Sequence, residues 1–498
     1  MSKHVWSSKW TFILAAIWWA AGLGNLWRFP YQVYDNGGFS FIIAYVIITL
    51  IVGISLAVWE IALWQRSREG VTTSLSKIHP LLSIMGWVAV LTALAIVFYY
   101  IVIVGWSVDY IYYALRWFVD GGFAWTGNPE TFFNNNILQL TGGLQERWKL
   151  SVPVLWWTII TFIALYFFTF KGAKSIGKVV WFTVIFPYIA LLLIAVKGFT
   201  LPGAADGLSY LVTFDKEAFF SISTWTAALA QVFFSIWVGM AFMVIYGAQK
   251  PNGEEVAKST IMVILWNALI SVLSSLAVFT SLGYLANQQW VGVSEVAAGG
   301  PGLIFVTIPT IFSTFGAFVG PLFAVIFFLT VFFLAIDSAM ALIEAPAAAI
   351  RKRLPKVKTE MVFFGVAVLA FLASIPFMYW NGLYLLDIVD YYLTQYAVTF
   401  VALFELVIFL FIWKKLAKFI QEHSSLPKWI THTKTLLTAW GISALAVLTL
   451  IILNFKDGFF NYAGYPKEDM MVWAIFLWSI YVLSIIFGIV AMLKTPKK

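Results

Sequence analysis

The chain is 498 residues long, 62% hydrophobic and only 11% charged, with a mean hydropathy of +0.90. A water-soluble protein of this size cannot hide so much apolar surface, so soluble folds are excluded. The net charge of +8 forms no basic run interleaved with aromatics on a soluble segment, which argues against a nucleic-acid partner. The absence of cysteine removes disulfides, thiolate metal sites and thiol nucleophiles. His4, His79, His423 and His432 fall in predicted loops or the N-terminal tail, leaving a metalloenzyme little to work with.

About 20 apolar residues cross a bilayer as a helix. Twelve such stretches occur, at about 10–35, 39–65, 86–115, 152–170, 176–196, 218–248, 259–287, 320–350, 359–379, 388–416, 435–455 and 471–493. The expected fold class is an all-α polytopic membrane protein, a single membrane domain over 1–498. The first span is too long for a cleavable signal peptide and lacks a small-residue cleavage site. With twelve spans, the connections on the N-terminal side hold 23 of the 31 basic residues. The positive-inside rule then places both termini in the cytoplasm, and the location expected is the cell membrane. The longest connections, about 116–151, 287–320 and 416–435, fall outside, outside and inside respectively. The stretch 305–315 suits a short re-entrant or capping helix over an entrance.

In chain order, the first span reads AAIWWAAGLGNLWRFPYQVYDNGG over 15–38. Glycine inside a helix costs about 1 kcal/mol relative to alanine, and Gly22 with Gly24 invites the helix to open. An opened helix survives in hydrocarbon only where it lines a cavity or a bound ion, and its free ends offer amides to an anion and carbonyls to a cation. A second interruption is expected at Gly239 in QVFFSIWVGMAFMVIYG (231–247), where IWVG weakly resembles the IWWAAG of 17–22. Paired interruptions in two halves of a chain point to a transporter binding site; glycine-kinked helices packed closely together are the plainer alternative.

Span 7 carries Asn267 in VILWNALISVL, an amide that needs a partner in hydrocarbon and that alone would read as interhelical glue. Span 8 carries Asp337 in FFLAIDSAMALIEA. An intramembrane carboxylate marks function by default, and Ser338 adds a hydroxyl beside it. Carboxylate, hydroxyl and carbonyl oxygens are the ligands proteins offer small hard cations. A protonated Asp337 donating to a neighbouring carbonyl is the alternative.

GLGNLWRFP at 22–30, NGG at 36–38, and QVFFSIWVG, AIDSAMALIEA and LFEL in spans 6, 8 and 10 resemble the signature of the neurotransmitter:sodium symporter family, in the manner of its prokaryotic amino-acid branch. The resemblance covers all twelve spans. It implies two inverted five-helix repeats, at about 10–196 and 218–416. Two extra helices, at about 435–455 and 471–493, follow, and helices 1 and 6 are broken at the midplane. It implies one sodium site on the side chains of Asn25, Ser235 and Asn267, the Ala20 carbonyl and the substrate carboxylate. A second sodium site takes Asp337 and Ser338 with main-chain oxygens of Leu334, Trp18 and Ala21.

Relatives that need chloride ligate it with Tyr, Gln and two Ser, matching Tyr45, Gln231, Ser235 and Ser271. Chloride-independent relatives tend to carry an acid in this cluster, and Ser271 holds the position to compare. Two Na⁺ against one ionised Asp337 leave a positive charge near the midplane, which an anion offsets. Four ordinary hydrogen-bonding residues between helices are the alternative. Gly22 stands where monoamine-carrying relatives place an Asp. This leaves room for a carboxylate at Leu23, Gly24 and the Tyr100 hydroxyl, and so for an α-amino acid. Ala20 and Ser235 border the same space, and the substrate side chain would face Ile96, Phe234, Trp237, Met240, Ser338 and Leu342. The family usually holds smaller or polar residues at Trp18, Trp19 and Trp237, and three indoles there favour a small or slender aliphatic substrate.

Arg28 and Asp390 match the family's outer gate, with Phe234 as lid; an Arg at this depth otherwise snorkels. Lys3 and Trp6 match the inner latch, but the usual acidic partner position is Lys352. Glu60 is expected to cap amides of the broken helices, with Glu344 and Glu405 as further buried acids. The expected activity is sodium-coupled, chloride-dependent import of a neutral amino acid by alternating access, with no enzymatic chemistry. A sodium-independent exchanger and a transport-inactive amino-acid receptor are the alternatives.

Overall fold

The structure, a computed structural model, describes residues 22–67, 69–146, 149–170, 173–236, 255–296, 301–425, 427, 432–457 and 459–493. Among them the backbone is helical, and pairing between extended segments is limited to two isolated bridges, Gly38 with Phe214 and Leu150 with Tyr379. Among the described residues, nine helices are long and apolar enough to cross a membrane. They correspond to expected spans 2, 3, 4 and 7–12. The protein is a helical polytopic membrane protein.

The long helices are α2 (Phe39–Ser67), α4 (Leu82–Asp120), α5 (Val152–Thr169), α9 (Val256–Gln289), α10 (Val319–Arg353), α11 (Thr359–Met378), α12 (382–422), α13 (Thr433–Asp457) and α14 (Lys467–Leu493). Parts of the other three spans are α1 (Phe29–Asp35), α6 (Ala173–Gly198) and α8 (Ile222–Ile236). Two short helices, α3 (Val71–Ile78) and α7 (Ala204–Val212), stand in connections that carried no helical expectation.

At 1.5 Å per residue α4 is about 58 Å long, well beyond a hydrocarbon core of about 30 Å. Its most apolar stretch is 89% buried, against 33% in α5 and 28% in α14. Thus α4 runs through the middle of the molecule, with α10 packed along it more extensively than any other pair. It overruns the expected 86–115 at both ends. Helical turns also occupy much of the long connections at about 116–151 and 287–320, at Phe132–Leu138, Leu303–Thr307 and Pro309–Phe312. The stretch over 303–315 is indeed helical, and its apolar residues lie inside. The Tyr110 hydroxyl donates to the Phe305 carbonyl, Trp125 Nε1 donates to the Pro309 carbonyl at 3.0 Å, and Phe305 stacks on Phe133 with ring centres 5.4 Å apart.

Gly22 lies in a bend, and the helix starts at Leu23 with a wide π turn over Gly24–Arg28. Pro30 has no N–H, and its ring crowds the carbonyl four residues earlier, so a widened turn just before it relieves both faults. After α1 the chain reverses through Gly37 and Gly38, both at positive φ (79° and 60°). The Gly38 amide bonds back to the Val33 carbonyl at 2.8 Å, closing the C-terminus as a Schellman motif. A Cβ on Gly37 would sit 2.4 Å from Cβ of Ala218, so this turn needs glycine for space as well as for φ. The expected break at Gly239 lies outside the described residues.

Candidate functional site

Asn25 organises the first turn of the described chain. Its Oδ1 accepts the Gly22 amide at 3.1 Å, and its own amide bonds the Gly22 carbonyl at 3.0 Å. Its Nδ2 reaches across to α9, 3.0 Å from Oδ1 and 3.2 Å from the carbonyl of Asn267, and 2.8 Å from Oγ of Ser271. Asn267 and Ser271 are four residues apart and so share one helix face. All three are buried.

Span 6 meets this cluster through α8. Gln231 Nε2 donates to the Gly24 carbonyl at 3.0 Å, and its Oε1 accepts Nη1 of Arg28 at 2.5 Å. One turn on, the Ser235 hydroxyl lies 3.0 Å from that of Tyr45 on α2. Between them, Phe234 turns the Cδ1–Cε1 edge of its ring to the backbone of span 1 at Gly24. A Cβ on Gly24 would sit 2.4 Å from its Cδ1 and 2.6 Å from its Cε1, and the Arg28 guanidinium stands 5.1 Å from the same ring.

The opposite wall comes from α4 and α10. The Tyr100 hydroxyl accepts the Leu23 amide at 3.4 Å and lies within hydrogen-bonding reach of Ser338, close to the Asp337 carboxylate. Ser338 Oγ donates to the Leu334 carbonyl at 3.4 Å. Ile96 and Leu342 lie one turn from Tyr100 and Ser338 on their helices, and all these residues are buried.

The residues of the expected ion and substrate sites that are described thus fall into one connected region. Oxygens of Asn25, Asn267 and Ser235, and separately of Asp337, Ser338 and Leu334, are the hard donors sodium takes. Hydroxyl and amide donors of Tyr45, Gln231, Ser235 and Ser271 suit an anion. The Asn267 Nδ2 is buried with no hydrogen-bond partner among the described residues, so the side chains alone do not close this cluster. Lys3, Trp6, Trp18, Ala20, Ala21, Trp237 and Met240 lie outside the described residues.

Residues at both expected gates have partners among the described residues. Arg28 and Asp390 form no ion pair in this conformation. Arg28 bonds Gln231, while Asp390 Oδ1 accepts the Tyr99 hydroxyl, although the Asp390 charge still acts on Arg28. Splitting the pair lets each half-buried charge keep a polar partner when the two do not touch. On the opposite side, Lys352 finds an acid that the sequence did not suggest: its Nζ is 3.2 Å from Oε1 of Glu69, which Lys77 also reaches at 3.0 Å. Burial pushes the Glu69 carboxyl up, but the two ammonium groups outweigh it and hold it below its ordinary value. Glu60 and Glu405 are buried close enough for their charges to interact, and Glu344 is buried near Arg351.

A sequence model of the sodium:neurotransmitter symporter family matches residues 3–126 and 122–495. An uncharacterized sodium-dependent transporter of Methanocaldococcus jannaschii is 30% identical over 492 residues, covering 98% of this chain and 97% of that one. A sodium- and chloride-dependent GABA transporter 2 of Bos taurus is 30% identical over 442 residues, 81% of this chain and 72% of its own. The Homo sapiens protein of the same description is 29% identical over 442 residues, with the same coverage.

Proposed function

Because the chain belongs to the sodium:neurotransmitter symporter family and is a sodium-dependent symporter, we propose that it imports a small or aliphatic neutral amino acid together with two Na⁺ and one Cl⁻. The observation that carries this reading is the buried network joining Asn25 to Asn267 and Ser271 beside the opened backbone of Gly22–Gly24. Gly22 leaves space for a substrate carboxylate, which Tyr100 and the amides of Leu23 and Gly24 would hold beside the first sodium. Ile96, Phe234, Leu342, Trp237 and Met240 would enclose an aliphatic side chain.

Asp337 and Ser338, with carbonyls of Leu334, Trp18 and Ala21, would hold the second sodium. Two cations and a zwitterion against one carboxylate leave one net positive charge. Such a charge at mid-membrane depth costs several kcal/mol, and chloride among Tyr45, Gln231, Ser235 and Ser271 offsets it. The description of the GABA transporters as chloride-dependent supports the anion. Transport would proceed by alternating access about spans 1 and 6, with Arg28, Asp390 and Phe234 closing the outer face and Lys3 and Trp6 the inner. The lysine and arginine distribution supports a cell-membrane protein with both termini cytoplasmic.

The test is uptake of labelled amino acids, GABA included, into proteoliposomes under an inward NaCl gradient, with KCl and sodium gluconate controls. Accumulation of alanine-sized or aliphatic substrates that needs both ions is expected. Preference for tryptophan over alanine overturns the substrate class, accumulation undiminished in gluconate overturns chloride, and binding without accumulation makes the protein a receptor.

A further inference from the structure

The outer end of α12 is held by more than its neighbours in the helix bundle. Asp387 and Asp390 lie three residues apart, about 60° from one another around the helix. Asp390 turns to Tyr99 and the charge of Arg28. Asp387 turns to the connection between the last two spans, where Tyr462 donates to its Oδ1 at 2.9 Å and Tyr465 to its Oδ2 at 3.0 Å.

The rest of that face repeats the attachment. Tyr391 stacks on Tyr462 with ring centres 3.9 Å apart and planes at 11°, and the Tyr392 hydroxyl lies 2.6 Å from the Phe459 carbonyl. Between the two phenols the chain turns through Ala463 at φ 49° and Gly464 at φ 75°. A left-handed alanine persists only where its surroundings over-determine it. Burial and the Asp387 charge push both phenols up, so they remain protonated donors throughout the physiological range.

We propose that Tyr462 and Tyr465 are positioning residues for the outer gate: by gripping Asp387 they fix the rotation and height of α12, and so hold Asp390 where it faces Arg28. The inference rests on reading Arg28 and Asp390 as that gate. Releasing the grip frees α12 to turn or lift, which favours the outward-open state.

The cysteine-free sequence supplies a clean reporter. Ile103 is one turn beyond Tyr99 on α4 and fully buried, so a single thiol in I103C reacts with a maleimide only when the outer face opens. Labelling is followed on monodisperse protein in NaCl without substrate. In the I103C background, Y462F with Y465F removes two oxygens and keeps both rings, and D387N weakens the same bonds from the other side. Each is expected to raise the labelling rate at least roughly tenfold, the worth of one hydrogen bond to a charged group. D390N, added to I103C, tests the gate itself. If D390N accelerates labelling but the Tyr462 and Tyr465 variant stays within twofold of its parent, the clasp is overturned and the gate stands. If D390N also changes nothing, both fall. Reduced uptake with unchanged labelling counts against the proposal, because it reports only a weakened fold.

Discussion

Phe234 lies so close over Gly24 that no side chain fits between them: a Cβ would meet the ring at 2.4 Å. Gly24→Ala must therefore displace the ring, which on the proposed reading is the lid over the substrate. Misplacing a group at a reacting or binding centre by about 1 Å costs roughly 100-fold. Uptake is expected to fall by that order while the detergent-solubilised protein stays monodisperse. Wild-type uptake in this variant would remove Phe234 from the lid role.

Ser271→Glu is expected to supply the negative charge internally and to make transport independent of chloride. Initial uptake rates in chloride and in gluconate should then agree within about twofold, against a tenfold or greater difference in the parent, as cancelling a midplane charge worth several kcal/mol requires. A variant that still needs chloride rules out the assignment of Tyr45, Gln231, Ser235 and Ser271.

Asp337→Asn keeps shape and removes charge. Losing one partner of a buried charge pair costs about 3–5 kcal/mol, so half-saturation by sodium is expected to rise by at least roughly 100-fold. A titration of sodium-dependent uptake, or of sodium-protected thermal unfolding, measures this. Substitution of Lys77, distant from the proposed ion sites, is the control.

Glu69 makes a prediction about pH. Its carboxyl is held below the ordinary 4.5 by Lys77 and Lys352, so its contribution is complete above that value and is lost as pH falls through the lower folded-state value. Thermal melting of Glu69→Gln is expected to fall slightly below the parent near pH 7. The difference is worth about 1 kcal/mol or less, because both lysines are largely solvent-exposed. Once pH has fallen below the folded-state value, the two curves should converge. A gap that widens in acid contradicts the sign of this pairing.

Much of the site was legible because membrane burial makes polar residues informative. Asn25, Asn267, Asp337 and Ser338 stand out against apolar surroundings, and the structure brings Asn25, Asn267 and Ser271 into direct contact. Glu69 was not legible. It is the one acid in a polar connection, and its partner Lys352 is 283 residues away, so no local pattern joins them. The partners of Asp387 and Asp390 were hidden for the same reason, since Tyr99, Tyr462 and Tyr465 look like ordinary interfacial aromatics until the helices are assembled. The helical turn over Phe132–Leu138 was missed, unlike the expected helix near 305–315, because hydropathy finds spans and has little to say about short apolar turns that pack on α4.

Tyr99 and Tyr100 are neighbours on α4, with Cα atoms about 3.8 Å apart, yet one serves Asp390 and the other serves Leu23 and Ser338. Successive helical residues differ in direction by about 100°, which is how adjoining phenols address separate neighbours. A rotation of α4 that draws one hydroxyl away necessarily carries the other with it. On the proposed reading, the outer gate and the substrate's seat would therefore be measured from a common fulcrum. News that the seat is filled would then have a single peptide bond to cross.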